Sequence, residues 1–92
     1  MSPIELDNLT IEQINQIDDI DEADRLMKNA TDHFKELNIE QRQKLLAVRA
    51  RWGKLQFAAK LWDSLMMAPE QYRAAALATY PASLPRPKRA QI

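Results

Sequence analysis

The chain has 92 residues, a formal net charge of zero and 46% hydrophobic residues. This composition is typical of a globular protein and excludes a largely disordered chain, while the length allows one small domain. Because cysteine is absent, disulfides, thiolate metal ligands and thiol nucleophiles are excluded as well. Glycine occurs once, and Ala, Leu, Gln, Glu and Lys are abundant, so the composition predicts an all-α fold.

The N-terminal residues MSPIELDNL lack a basic segment followed by an apolar run, and no stretch of about 18 apolar residues occurs. These features predict a cytoplasmic protein without a membrane span. Charge is distributed unevenly along the chain. Residues 1–24 contain eight acids and no Lys or Arg, whereas residues 25–92 contain thirteen bases and five acids.

Two short helices are predicted in the N-terminal part. Thr10 and Gln13 fit a capping box, which predicts a first helix over about residues 11–17. Asp21 is a suitable N-cap for a second helix, whose apolar positions recur with helical spacing. These positions are Ala23, Leu26, Met27, Ala30, Phe34 and Leu37.

One long helix is predicted over about residues 39–67, after a cap at Asn38 with Gln41 three residues later. Its apolar residues recur in steps of three and four, which is typical of a heptad seam. Gly53 is its weakest position, but the seam keeps its phase there and we expect one continuous helix. The seam residues are Leu45, Val48, Trp52, Leu55, Ala59, Trp62 and Met66.

A last helix is predicted over about residues 69–79, with Pro69 as its first residue. The tail that follows, residues 81–92, is rich in proline and bases and has no helical periodicity, so we expect it to be flexible. The predicted fold is therefore a small helical bundle in one domain, residues 1–80. It is a helical hairpin built on the long helix, with short flanking helices.

The four letters Asp21-Glu22-Ala23-Asp24 match the acidic motif of RNA-dependent ATPases, but the chain lacks the glycine-rich phosphate loop that such enzymes require. His33 is the only histidine, so neither a histidine metal site nor a second imidazole is available. Therefore we expect no enzymatic activity, no catalytic residue, no metal and no cofactor.

The second half of the long helix predicts an interaction surface. The second helix, at about 1.5 Å per residue, reaches only about half of the long one, so apolar residues beyond it need another cover. Either the short first and last helices bury them, or they form a self-association seam or a docking face for another protein. The predicted protein-binding residues are Phe57, Leu61, Trp62, Leu65, Met66, Met67 and Tyr72.

A basic band in the first half of the long helix has two interpretations. Its cations border the apolar seam and could pair with Asp24, Asp32 and Glu36 on an antiparallel second helix. Alternatively, the band and the tail could bind nucleic-acid phosphates. The possible nucleic-acid-binding residues are Arg42, Lys44, Arg49, Arg51, Lys54, Arg86, Lys88 and Arg89.

The function predicted first is a non-enzymatic protein-binding module that regulates, inhibits or assists a larger protein or complex, with a homodimer as a further possibility. A nucleic-acid-associated regulator is the alternative. A third interpretation is that the acidic N-terminal segment mimics a nucleic acid. By analogy only, the first role is common among small proteins of bacteria and phages.

Overall fold

The computed structural model describes residues 3–87, and within this range the chain forms α-helices and no β-strand. The predicted all-α class is confirmed, with one long helix and shorter flanking ones. Two single 3₁₀ turns accompany the helices, at Glu5–Asn8 and Phe34–Glu36. The helices are α1 (Ile11–Asn15), α2 (Ile20–Asp32), α3 (Ile39–Met66) and α4 (Glu70–Ala78).

Both predicted capping boxes are present. The amide of Gln13 donates to the Thr10 hydroxyl at 3.1 Å, and the amide of Thr10 donates to the Gln13 side chain at 2.9 Å. The same exchange joins Asn38 and Gln41, at 2.8 Å in each direction. These bonds satisfy amides that a helix start leaves without partners, which fixes the beginnings of α1 and α3.

The bounds of α2 differ from the prediction at both ends. Its N-cap is Asp19, which accepts from the Asp21 amide at 3.0 Å, so the helix begins before Asp21. It ends at Asp32, short of the predicted Phe34 and Leu37. Thr31, Asp32 and His33 favour helices weakly, and the Thr31 hydroxyl donates to the carbonyl of Met27 at 2.8 Å. This local competition ends the helix early.

Helix α3 is continuous through Gly53, as predicted. The glycine costs about 1 kcal/mol relative to alanine in a helix interior. Val48 and Leu55 on either side of it are buried, and burial of such a side chain contributes about 1.5–3 kcal/mol. Packing therefore outweighs the weak helix propensity of one residue.

The core lies between the first half of α3 and the N-terminal elements. Helix α2, helix α1 and the turn Glu5–Asn8 all contact α3 in this region. Leu6, Ile14 and Val48 are the largest fully buried side chains among the described residues. The other members of the core are Ile4, Ile17, Ala23, Leu26, Ala30, Leu37, Leu45 and Leu55.

The second half of α3 has a thinner cover, because helix α4 packs on it without a buried residue of its own. Pro69 is the N-cap of α4 rather than its first residue, a shift of one position from the prediction. The molecule is elongated, with extents of 53 × 20 × 19 Å and a radius of gyration of 16.1 Å. A compact chain of about 100 residues has a radius near 13 Å. The long helix thus sets the length of the molecule.

No helix within residues 3–87 is both long enough and apolar enough to cross a membrane.

Candidate interaction surfaces

The predicted protein-binding residues do not form one surface. Leu61, Trp62 and Leu65 are half-buried on the second half of α3. The remaining four side chains are exposed: Phe57 by 59%, Met66 by 40%, Met67 by 85% and Tyr72 by 60%. Part of this half of α3 is therefore covered within the chain and part is exposed, while its role as a self-association seam or docking face stays a prediction.

Trp62 is covered by the tail. Its ring meets the ring of Tyr80 edge to face at 5.3 Å between centroids, and the guanidinium of Arg86 lies 5.6 Å from its centroid. The Tyr80 hydroxyl donates to the carbonyl of Pro85, which bends residues 81–87 back towards α3. Burial raises the pKa of Tyr80, and the charge of Arg86 opposes that shift.

The sequence prediction treated residues 81–92 as flexible because they have no helical periodicity. Residues 81–87 have irregular backbone, and Pro87 is buried against the helices. The sequence signal for this packing was Tyr80 followed by several prolines. Proline restricts the unfolded backbone, so a proline-rich segment loses less conformational entropy when it packs. Flexibility of the remainder stays a prediction, because Lys88 and Arg89 lie outside the described residues.

The connection between α3 and α4 and its flanking helix ends carry three exposed apolar side chains, which we call the tip surface: Met66, Met67 and Tyr72. Met67 is the C-cap of α3, and Tyr72 lies in the first turn of α4, where its amide donates to Pro69 at 2.8 Å. The exposure of these three side chains does not by itself establish a function. They are exposed members of the predicted set that lie within seven positions of one another, where α3 ends and α4 begins.

A second apolar surface was not predicted from the sequence. Ile39 and Leu46 are exposed by 77% and 64%, and both lie on α3. At about 100° per residue, they share one side of α3 with Phe57, Ala50 and Gly53, within about 60° of one another. We call this set the outer face. The sequence signal for this face was that two large apolar residues of α3, Leu46 and Phe57, fall outside the predicted seam.

The basic band divides into internal and exposed members. The Lys44 ammonium donates to the carbonyl of Leu6 at 3.3 Å, and Nε of Arg51 donates to the carbonyl of Ile17 at 2.6 Å. Leu6 is in the first 3₁₀ turn and Ile17 follows α1, where carbonyls of a helix end need donors. These two cations therefore hold the N-terminal segment against α3.

The other cations of the band are exposed. Arg49 and Lys54 reach solvent, and the guanidinium of Arg42 lies 5.2 Å from the ring centroid of Phe34. Arg86 contacts Trp62 instead of extending the band. The structure therefore separates the predicted nucleic-acid-binding residues into three groups with different surroundings.

The predicted pairing of acids on α2 with the basic band differs in the structure. Asp24 pairs with Lys28 of its own helix at 3.6 Å. Another acid of the N-terminal segment, Glu5, pairs with Arg25. The band contacts backbone carbonyls of that segment rather than Asp24, since Lys44 donates to Leu6 and Arg51 donates to Ile17.

Asp21 and Glu22 of the four-letter motif occupy the first turn of α2, where a helix dipole favours negative charge, Asp24 follows that turn, and Ala23 is buried in the core. A cleft of about 390 Å³ opens beside this turn. Its lining consists of Asp18, Asp19, Ile20, Asp21, Leu55, Ala59 and Pro87.

Among residues 3–87, no group of three or more His, Asp or Glu side chains is placed to hold a metal ion. The ring of His33 is engaged locally, since its Nδ1 lies 2.9 Å from the carbonyl of Asn29. Comparisons of the chain with protein-family models, with curated proteins and with solved structures find no match.

Proposed function

We propose that the protein is a non-enzymatic binding module that docks on a larger protein or complex through the apolar side chains of residues 55–72. The observation that carries this proposal is the exposure of Met67 by 85% and Tyr72 by 60% at the tip surface. Aromatic residues and methionine are enriched at protein interfaces, and adjacent methionines adapt to the shape of a partner.

A photo-reactive amino acid placed at Met67 tests this function in a lysate of the source cells. We expect a covalent adduct with one protein, identified by mass spectrometry, that is absent when the same group replaces the exposed Glu12. Substitution Tyr72→Ser should reduce the yield of that adduct. The proposal fails if both positions give the same adducts, or if neither position gives any.

The second candidate function is binding of nucleic acid, which the exposed cations Arg42, Arg49 and Lys54 favour. A salt-dependent gel shift separates it from protein binding, because phosphate contacts release counterions. Charge reversal belongs at Arg49 and Lys54, since replacing Arg51 would also remove its bond to Ile17. Binding at low salt that these two substitutions abolish would favour this function over the first.

A further inference from the structure

The outer face of α3 has the shape of a helix-binding surface. Ile39, Leu46 and Phe57 are each more than half exposed, and Ala50 and Gly53 lie between the two larger residues Leu46 and Phe57. The set extends over eighteen positions, or about 27 Å of helix. Large side chains that flank small ones leave room for a second helix to approach the backbone, as in helix-in-groove recognition.

Gly53 has no evident role in the isolated chain. It lies in the middle of α3 with ordinary helical backbone, and a Cβ added to it would meet nothing within 4 Å. A residue with better helix propensity would fit there and stabilise the helix. Binding of another helix at this point would explain the glycine, because a second helix can come close to the α3 backbone only where α3 has no side chain.

The positive charge around the outer face indicates which kind of molecule could bind there. The sequence from residue 41 to residue 62 contains six Lys or Arg residues and no Asp or Glu. Arg42, Arg49, Lys54 and Lys60 are exposed around the apolar side chains. Two copies paired through this face would bring their cations together, which like-charge repulsion opposes. An amphipathic helix with Asp and Glu beside its apolar stripe would complement both the apolar residues and the charge.

We propose that the outer face of α3 binds an acidic amphipathic helix of another protein. Its apolar side chains would cover Leu46 and Phe57 and pass closest to α3 at Gly53, while its carboxylates meet Arg49 and Lys54. This inference rests on the proposed protein-binding function and assigns it a second surface, distinct from the tip surface, together with the chemistry of the partner.

A displayed library of 21-residue amphipathic helices tests the partner chemistry. Its apolar positions vary among Leu, Ile, Met and Ala, and its flanking positions vary among Glu, Gln and Lys. Selection on the full chain should enrich Glu at the flanking positions, and selected peptides should lose at least roughly tenfold in affinity for Leu46→Glu, which places like charge on the face. The matched control is Ala74→Glu, at an exposed position of α4.

Gly53→Gln separates a binding role from a structural one. The substitution should raise the melting temperature of the free chain, because Gln favours helices more than Gly does and its Cβ would meet nothing within 4 Å. It should also lower the affinity for the selected peptides by roughly tenfold or more, because its side chain keeps the second helix away. A merely structural position would show the gain in stability without the loss in affinity.

Four results would overturn the inference. Selected peptides could lack enrichment of Glu, or bind Leu46→Glu and Gly53→Gln as tightly as the parent chain. Sedimentation could show a dimer that Leu46→Glu dissociates, which would assign the face to a second copy. A labelled DNA duplex could displace the peptides and lose binding with Phe57→Ser, which would assign it to nucleic acid. Loss of tip-surface adducts in the earlier cross-linking leaves this test unaffected, so the two proposals fail separately.

Discussion

At the scale of single residues, the side chain of Gln41 connects two distant parts of the chain. It is 9% exposed, and its amide nitrogen donates to both carboxylate oxygens of Asp7, at 2.9 and 3.1 Å. Its oxygen also accepts from the amide of Asn38 in the capping box. Hydrogen bonds to a charged group are stronger than those between neutral groups, so one side chain stabilises both the helix start and the N-terminal turn.

Gln41→Ala should therefore lower the free energy of unfolding by about 1–3 kcal/mol, since it removes the cap and the bonds to Asp7. The matched change Gln13→Ala removes the same kind of cap at the exposed start of α1 and should cost about 0.5–1 kcal/mol. Urea unfolding of both variants measures the difference. Equal losses would contradict a role for Gln41 beyond capping.

Tyr80 makes stability depend on pH in the alkaline range. Burial raises the pKa of its hydroxyl above the ordinary value of 10.0, against the opposing charge of Arg86. The folded state thus holds the proton more tightly than the unfolded state does. The stabilisation from this group is complete below pH 10 and is lost as the pH rises through the higher pKa of the folded state.

The difference in unfolding free energy between the parent chain and Tyr80→Phe should therefore be constant below pH 10 and should shrink above it. Phenylalanine keeps the ring contact with Trp62 but has no proton to lose. Chemical unfolding at a series of pH values gives the comparison, and absorbance of tyrosinate reports the titration itself. An unchanged difference up to strongly alkaline pH would contradict the assignment.

At the scale of elements, the tail and α4 cover the second half of α3 through few contacts. The rings of Trp62 and Tyr80 meet edge to face, and the guanidinium of Arg86 lies over the Trp62 ring. Such ring pairs contribute about 0.5–1.5 kcal/mol beyond the area they bury, and an exposed cation over a ring contributes about 0.5–1 kcal/mol. Trp62 is therefore one contact point on α3 for the segment that includes Tyr80 and Arg86.

Trp62→Ala should destabilise the chain by about 1–3 kcal/mol and release the tail, because Tyr80 and Arg86 lose their common partner. The amide of Leu84, which donates to Pro81 at 3.2 Å, should then exchange its hydrogen faster. Phe57→Ala, an exposed aromatic position on the same helix, is the control and should change stability by no more than about 0.5 kcal/mol. Equal exchange of Leu84 in both variants would contradict the proposed anchoring.

The elements that the sequence predicted well are those with strong local signals. Two capping boxes, one at Thr10 and one at Asn38, fix helix starts through bonds between residues three apart. The end of α2 was missed because Phe34 continues the apolar period, although Thr31 and His33 bond locally to the helix backbone. Periodicity shows which residues share a face, whereas these local bonds decide where the helix stops.

The predicted interaction surface was only partly recoverable from the sequence. Exposure of Met67 follows from its place at the end of a long helix. Burial of Trp62 depends on the tail, which returns to α3 through irregular backbone that has no period to detect. The outer face escaped prediction because Leu46 was assigned to no seam, and its exposure follows only from the position of α2 on the opposite side of α3.

At the scale of the whole molecule, stability should be uneven along α3. The core residues Leu45, Val48 and Leu55 lie in its first two thirds, whereas helix α4, which packs on α3 beyond them, has no buried residue. Segments with few buried apolar contacts open at a lower free energy than the core does. The chain is therefore expected to open first at the end that carries the tip surface.

Native-state hydrogen exchange measures this gradient. Amides of residues 45–55 should exchange only through global unfolding, whereas those of 60–66 and of α4 should exchange through a partial opening of lower free energy. The variant Leu26→Ala, which removes a buried side chain of α2, should reduce protection in the first group more strongly. Uniform protection along α3 would contradict an uneven distribution of stability.

The cleft beside α2 has a kinetic consequence. Pro87 lines it together with Asp18, Asp19 and Ile20, so residues almost 70 positions apart in sequence border one cleft. Contacts between residues distant in sequence form slowly, because a long loop must close before they are gained. During refolding, the N-terminal helices and α3 are expected to assemble first and the tail to arrive last, an order that pulse-labelled exchange can resolve. The cleft beside α2 would then be completed last, because Pro87 is the part of its lining that the tail supplies.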